Sequence, residues 1–200
     1  MGRPKLLLPW RGRTIITDVV ERARAAASHV VVVTGHDSSA TVRELTGHDI
    51  HIVHNSNYAD GEMISSVKTG IAALPPACEA FFLVLGDQPG IAAETFERII
   101  AAWRGAAAGA ATMIVSPRWN NCRGHPVLIS AAGIDEILAL PADATLKTFV
   151  ARHAAGSIEV EVEDPAILAD VDTPEQYRRL TEMQTETGSL SCPTEVIAAD

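Results

Sequence analysis

In "TIITDVVERARAAA" apolar side chains recur every three or four positions. Ile15, Ile16, Val19, Val20, Ala23 and Ala27 share one face, and Asp18, Glu21, Arg22 and Arg24 take the other, which is the period of an amphipathic helix. The pattern then changes. "VVVVTG" is a short, β-branched, wholly apolar run closed by Thr34 and Gly35, as suits a strand buried on both faces of a parallel sheet. "FFLVLGDQPG" contains a second such run. Between the two, the sequence predicts a helix over 38–45, a strand "HIVH", a polar loop, and a helix over 62–74 with Ile64, Val67, Ile71 and Leu74 on one face. Further on, "ETFERIIAAW", "GIDEILAL" and "TLKTFVARH" read as helices, "TMIVS", "PVLIS", "IEVEV" and "LADVD" as strands, and a last helix starts at Pro174. Strands alternating with helices predict an α/β fold with a mainly parallel sheet. Ligands in such sheets lie beyond the carboxyl ends of the strands.

The chemistry at those ends is acidic. Asp87 stands just past the most apolar run, in a turn tightened by Gly86, Pro89 and Gly90, where a carboxylate can face the crevice and hold a hard cation such as Mg²⁺. Capping or turn formation is the competing role for Asp87. If "LADVD" is extended, Asp170 and Asp172 point to one side, and two like charges there call for a cation between them or for water. Asp172 or Thr173, followed by Pro174 and Glu175, also reads as a helix start. One carboxylate can cap while the other binds.

Composition narrows the field. The chain has 200 residues, is 47% hydrophobic and carries a formal charge of -9. That is enough for one domain with a sizeable core, and its acidity argues against nucleic-acid binding. Small anionic substrates stay open through a local cationic pocket or bound metal. Three cysteines, Cys78, Cys122 and Cys192, lie far apart, a spacing that indicates neither a disulfide framework nor a zinc site. With no apolar stretch long enough to span a bilayer and no signal peptide pattern, the reading is a cytoplasmic protein. His48, His51 and His54 are spaced by three, but a strand sends such neighbours to opposite faces, so they are set aside as metal ligands. Trp10, Trp103 and Trp119 read as packing residues. Residues 183–200, polar and without period, read as a flexible tail behind a domain spanning 1–182.

Taken in order, "MGRPKLLLP", "GEMISSVKTG", "GDQPG", "RGHPVLI" and "DVDTPEQY" resemble the MobA-like nucleotidyltransferase family, most closely its molybdenum cofactor cytidylyltransferases. The resemblance implies a Rossmann-like three-layer sandwich of the nucleotide-diphospho-sugar transferase type. It also implies transfer of a CMP moiety from CTP to a phosphorylated, molybdopterin-type acceptor, with release of pyrophosphate. By the same resemblance Gly2, Arg3, Lys5 and Gly86 border the nucleotide, Lys5 approaches its phosphates, Asp87 holds Mg²⁺, and Asp170 or Asp172 completes the metal site. Gly61, Ser65 and Ser66 would open a helix facing substrate, where free N–H groups and hydroxyls suit an anion and helix capping is the competing role. Gly124 and His125 would border the acceptor, and Arg123 could add a phosphate contact. A molybdoenzyme or chaperone is the implied protein partner.

Family members open with a strand and a glycine-rich loop, LAAGxSxRMGxPK, of which "MGRPK" alone is present. The resemblance therefore implies that the first strand and most of the phosphate loop are absent, through a late start or a truncation, leaving unpaired ladder edges and a gap in the core. A related enzyme using GTP or another acceptor is one alternative reading. A non-catalytic remnant that binds a partner protein is the other. The missing loop favours the remnant, and retention of Lys5, Asp87 and Asp172 favours an enzyme.

Overall fold

A computed structural model describes residues 4–36, 38–58, 63–106 and 112–183. Among the described residues the strands are β1 (Pro9–Trp10), β2 (Arg13–Thr14), β3 (Val31–Thr34), β4 (His51–His54), β5 (Ala80–Leu83), β6 (Ile114–Trp119), β7 (Cys122–Arg123), β8 (Val127–Ser130) and β9 (Ile158–Glu161). The α-helices described with them are α1 (Ile15–Ala26), α2 (Ser39–Glu44), α3 (Met63–Ala72), α4 (Ala93–Gly105), α5 (Ile134–Ala139), α6 (Leu146–Arg152) and α7 (Pro174–Met183). None of the described helices is long and apolar enough to cross a membrane.

The larger sheet runs β5-β8-β6-β7, with β9 on β6. Its layers follow from strand alternation. Phe81, Leu83, Ile114 and Ile129 face α3, α5 and α6 through Val67, Ile71, Ile137 and Phe149. Phe82, Val115 and Leu128 face the other way, onto Ile99 and Trp103 of α4. The rings of Phe82 and Phe96 meet edge to face, 5.3 Å between centroids, the arrangement that aligns a positive edge with a negative face. A smaller sheet, β3 with β4, is packed by Ile16 and Val20 of α1. On its other side Gly70 of α3 lies where a Cβ would come within 3.1 Å of Val33, so a glycine lets helix and strand approach. Both sheets thus belong to one central layer between α1 with α4 and α3 with its neighbours.

The structure departs from the sequence expectations in four ways. The α/β class holds, but the ladders are mixed: β3–β4 and β6–β9 are parallel, while β5–β8, β6–β8 and β6–β7 are antiparallel. The cause is the β6–β7 hairpin, which turns the chain back so that β8 enters between β5 and β6. Its two-residue turn has Asn120 and Asn121 at φ of 48° and 66°, the left-handed geometry that suits hairpin twist and tolerates asparagine. The second difference is that "LADVD" forms no strand; a 3-10 turn over Pro165–Leu168 precedes irregular chain up to α7. Thirdly, Cys122 is disulfide-bonded, where the spacing of the cysteines indicates no disulfide framework. The fourth concerns β3, whose valines are only partly buried although their sequence suits a strand covered on both faces. No described strand lies on the far edge of β3, and that edge opens into a cleft.

Candidate active site

Lys5 begins a 3-10 turn, Lys5–Leu7, at the mouth of this cleft. Its Nζ donates to Asp87 Oδ2 at 2.6 Å and to Asp172 Oδ1 at 2.8 Å. Asp87 arrives from the end of β5 and Asp172 from the segment before α7, and the two backbones are tied by Val171 N donating to Asp87 O at 3.1 Å. Three segments distant in sequence therefore share one charged point. Partial burial works against the ammonium charge, but the bonds to Asp172 and Asp87 outweigh it and hold the lysine pKa above its ordinary value.

Asp170 sits beside this point and accepts a short hydrogen bond from Gln88 Nε2. Burial pushes its pKa up; the Gln88 bond opposes that, and the charges of Asp87 and Asp172 add to it. Gln88 is itself buried, with Oε1 lacking a partner among the described residues, an acceptor left for a donor from water or ligand. His125 lies below. Its Nδ1 is 3.4 Å from Leu83 O and its backbone N donates to Ile167 O, with a cis peptide joining it to Pro126. Burial lowers the His125 pKa, against the raising effects of Leu83 O and of Asp170 and Asp87.

That direction fixes a pH dependence. The folded protein takes up a proton at His125 less readily than the unfolded chain does, so the contribution is complete above the unfolded pKa of about 6.5 and is lost as pH falls from there through the folded pKa. Thermal melts from about pH 7.5 to about pH 5 are expected to show falling stability, with a shallower fall in His125→Asn. Equal slopes in the two proteins would remove His125 from the account.

The segment before α7 explains how Asp172 stays available. Thr173 Oγ1 accepts from Gln176 N at 3.1 Å, and Gln176 Oε1 accepts from Asp172 N at 2.9 Å and Thr173 N at 2.7 Å. This is a capping box. Thr173 rather than Asp172 therefore caps the helix, and the Asp172 carboxylate is left for Lys5. Thr173→Ala is expected to cost about 1 kcal/mol, seen in denaturant unfolding, and to weaken divalent-metal binding by loosening Asp172. A variant as stable as the parent would show that the cap is not stabilising.

Other candidates are placed differently. Gly86 adjoins Asp87 and packs near Ile16 and Leu6. Ser65 and Ser66 lie in the first turn of α3, but their hydroxyls accept from Asn55 Nδ2 at 2.9 and 3.0 Å, and Asn55 is almost fully buried. Asn55 organises this helix start, so the two serines are not free hydroxyls awaiting an anion. Arg123 on β7 pairs with Glu159 on β9, which occupies the guanidinium expected at a phosphate. Gly124 packs against the Ile167 backbone. Gly2, Arg3 and Gly61 lie outside the described residues, as does the tail from 184.

Among the described residues no group of three or more His, Cys, Asp or Glu side chains is arranged to hold a metal ion. The carboxylate pair nevertheless fits a divalent cation, because the position between Asp87 and Asp172 already holds a positive charge, the Lys5 ammonium. A hard cation that keeps its waters needs only one or two such carboxylates.

Residues 1–157 match the MobA-like NTP transferase domain, a span that includes Lys5 and Asp87 and stops short of Asp170 and Asp172. The molybdenum cofactor cytidylyltransferase of Escherichia coli K12 is 30% identical over 187 residues, 93% of this chain and 91% of that protein. The nicotine blue oxidoreductase of Paenarthrobacter nicotinovorans is 34% identical over 186 residues, 90% and 89% of the two chains. Among solved structures, Rv0371c from Mycobacterium tuberculosis H37Rv superposes with a TM-score of 0.77 at 28% identity, over 91% of this chain and 90% of that one. A manganese complex of Rv0371c gives 0.72 at 31% identity, over 90% and 93%. These relatives carry names for unlike reactions, so similarity at this level fixes kinship before substrate. With a family match over most of its length and relatives aligned nearly end to end, the chain belongs to the MobA-like NTP transferase domain family and is a nucleotidyltransferase by that kinship.

Proposed function

We propose that the protein transfers CMP from CTP to the phosphate of a molybdopterin-type acceptor, releasing pyrophosphate. The observation that carries this reading is the convergence of Lys5, Asp87 and Asp172 on one point, at the carboxyl end of a strand where α/β folds bind ligands. Asp87 and Asp172 hold a divalent cation, Mg²⁺ by this reading, with Lys5 turned to the triphosphate. The bound cation supplies neutralisation of phosphate charge. The manganese in the Rv0371c complex supports a divalent metal, and the name of the Escherichia coli relative supports CTP and the acceptor.

The lysine's role follows from its form. An ammonium on a flexible stem can follow negative charge as it grows on the transferring phosphoryl group. An acceptor phosphate oxygen attacks the α-phosphorus in line; the bond from that phosphorus to the bridging oxygen breaks, and pyrophosphate leaves with the electron pair. Gln88 keeps Asp170 oriented beside the pair. Gly86, with Gly2 and Arg3 by resemblance, borders the nucleotide; Gly61, Ser65, Ser66, Gly124 and His125 border the acceptor. The reading places the reaction in the cytoplasm, with a molybdoenzyme or chaperone receiving the product.

The test is turnover of α-labelled CTP, GTP and ATP with molybdopterin and Mg²⁺ or Mn²⁺. It is run on the chain itself and on a form extended ahead of residue 1 by an apolar strand and a glycine-rich loop. Acceptor-dependent pyrophosphate release from CTP is expected, stronger in the extended form. Preference for GTP would select a related nucleotidyltransferase instead. No release by either form, both folded, would overturn the reading in favour of a binding module.

A further inference from the structure

The sequence pattern puts Asp18 and Arg22 on the polar side of α1, yet Asp18 is only 3% exposed. Its Oδ2 accepts from Arg22 Nε at 2.7 Å and from Gly90 N at 2.9 Å, and Arg22 Nη1 donates to Ile91 O at 2.5 Å. The pair therefore grips two successive residues of the turn that follows Asp87. Neither side chain lines the cleft that Lys5 and Asp87 share. Stability does not account for the pair, since apolar side chains of similar volume are often as stable as a buried ion pair. What apolar side chains cannot do is hold a peptide group in one orientation, which a directional hydrogen bond does.

The grip matters because of what lies between it and Asp87. Pro89 has its φ fixed by its ring, and Gly90 has φ of 89°, a left-handed conformation that glycine adopts without strain and can also leave freely. Gly90 would be the free joint of the turn if nothing held its N–H. Other contacts fasten the turn to the segment between β9 and α7: Asp164 Oδ2 accepts from Ala92 N at 2.8 Å, and Val171 N donates to Asp87 O. Asp18 and Arg22 fasten it to α1 instead. The lysine rests on the same helix, because Leu6 and Leu7 of its 3-10 turn pack against Ile16 and Val20. Helix α1 is thus a common base for Lys5 and for the turn that carries Asp87.

We propose that Asp18 and Arg22 are positioning residues for the transfer reaction, fixing the Asp87 carboxylate against Lys5 and Asp172 at the one spacing a shared divalent cation needs. The inference rests on the reading of Asp87 and Asp172 as metal carboxylates. Groups that orient a metal-binding side chain commonly change metal affinity or activity by about ten- to a hundredfold when removed.

The test is Mn²⁺ affinity by titration calorimetry, with thermal melts alongside. Asp18→Leu combined with Arg22→Met replaces the ion pair by apolar side chains and leaves the net charge unchanged, so the long-range field on the cation stays as it was. This double variant is expected to bind Mn²⁺ about tenfold more weakly, and to cause no further loss when Asp87 is already asparagine, as expected of residues that act through Asp87. Asp18→Asn keeps an oxygen for Gly90 N and Arg22 Nε, and is expected to stay within about twofold of the unaltered chain. If the double variant does not fold, Arg22→Met alone, which releases only Ile91 O, is judged on the same terms with a severalfold loss expected. Unaltered affinity in the folded variant, beside a loss in Asp87→Asn, would overturn the positioning role and leave the metal reading standing. A fall in Asp18→Asn as large as in the double variant would also overturn it, by assigning the effect to charge. Unchanged affinity in Asp87→Asn, or no Mn²⁺ binding by the unaltered chain, would instead defeat the metal reading and the inference with it.

Discussion

Replacing Asp87 by asparagine is expected to lower nucleotidyl transfer by at least about a hundredfold while leaving the fold intact. Shape is preserved and charge is removed. Asp87 is the more enclosed member of the pair, its side chain 22% exposed against 57% for Asp172, so the field it exerts is less screened by water. Asp172→Asn should follow the same direction with a smaller loss. Stability should change little in either, because ion pairs this open contribute no more than about 1 kcal/mol. The informative measurement is Mn²⁺ affinity by titration calorimetry alongside turnover. Loss of both together places the carboxylate on the metal, whereas unchanged metal affinity with lost turnover would put its role in orienting Lys5. Full activity in Asp87→Asn would remove the proposed chemistry.

The largest effect on stability is expected at Gly124. A Cβ there would sit 2.2 Å from Ile167 O and 2.8 Å from Ile167 C, and backbone on both sides leaves no flexible side chain to move away. The same contact carries the bond from His125 N to Ile167 O at 3.0 Å, so relieving the overlap breaks it. Gly124→Ala should therefore cost about 3 kcal/mol or more, a fall in melting temperature on the order of 10 °C for a domain of this size. Gly105→Ala is the matched control, at a helix end where an added Cβ meets nothing within 4 Å. Similar melting temperatures for the two variants would show that the Ile167 turn yields.

Local pattern foretold much of this architecture, and its failures have physical causes. The period of α1 and the apolar runs of β3 and β5 are signals that one segment carries alone, and all three elements lie where their patterns place them. The position of β8 between β5 and β6 is not carried by any segment, because it depends on a hairpin whose signal is only the Asn120–Asn121 pair. "LADVD" alternates like a strand, yet no neighbouring ladder is there to receive it. In the site, Asp87 is legible as an acid in the turn past an apolar run, and Asp170 and Asp172 as an acidic pair, though the strand that pattern suggests for them does not form. Lys5 was visible only through resemblance, since an isolated lysine before three leucines has no pattern of its own. Gln88 and Asn55 carry no signal in the sequence, because neutral amides look like loop residues until burial shows what they hold. Gln176 could have been found: threonine three residues ahead of glutamine at a helix start is a capping box.

Lys5 and Asp172 stand 167 positions apart and meet directly, with the Tyr177 hydroxyl donating to Pro9 O at 2.6 Å as a latch between the same two regions. Cleavage ahead of residue 170 would remove Asp172 and the latch together, and by the proposed reading it would leave Lys5 facing Asp87 alone.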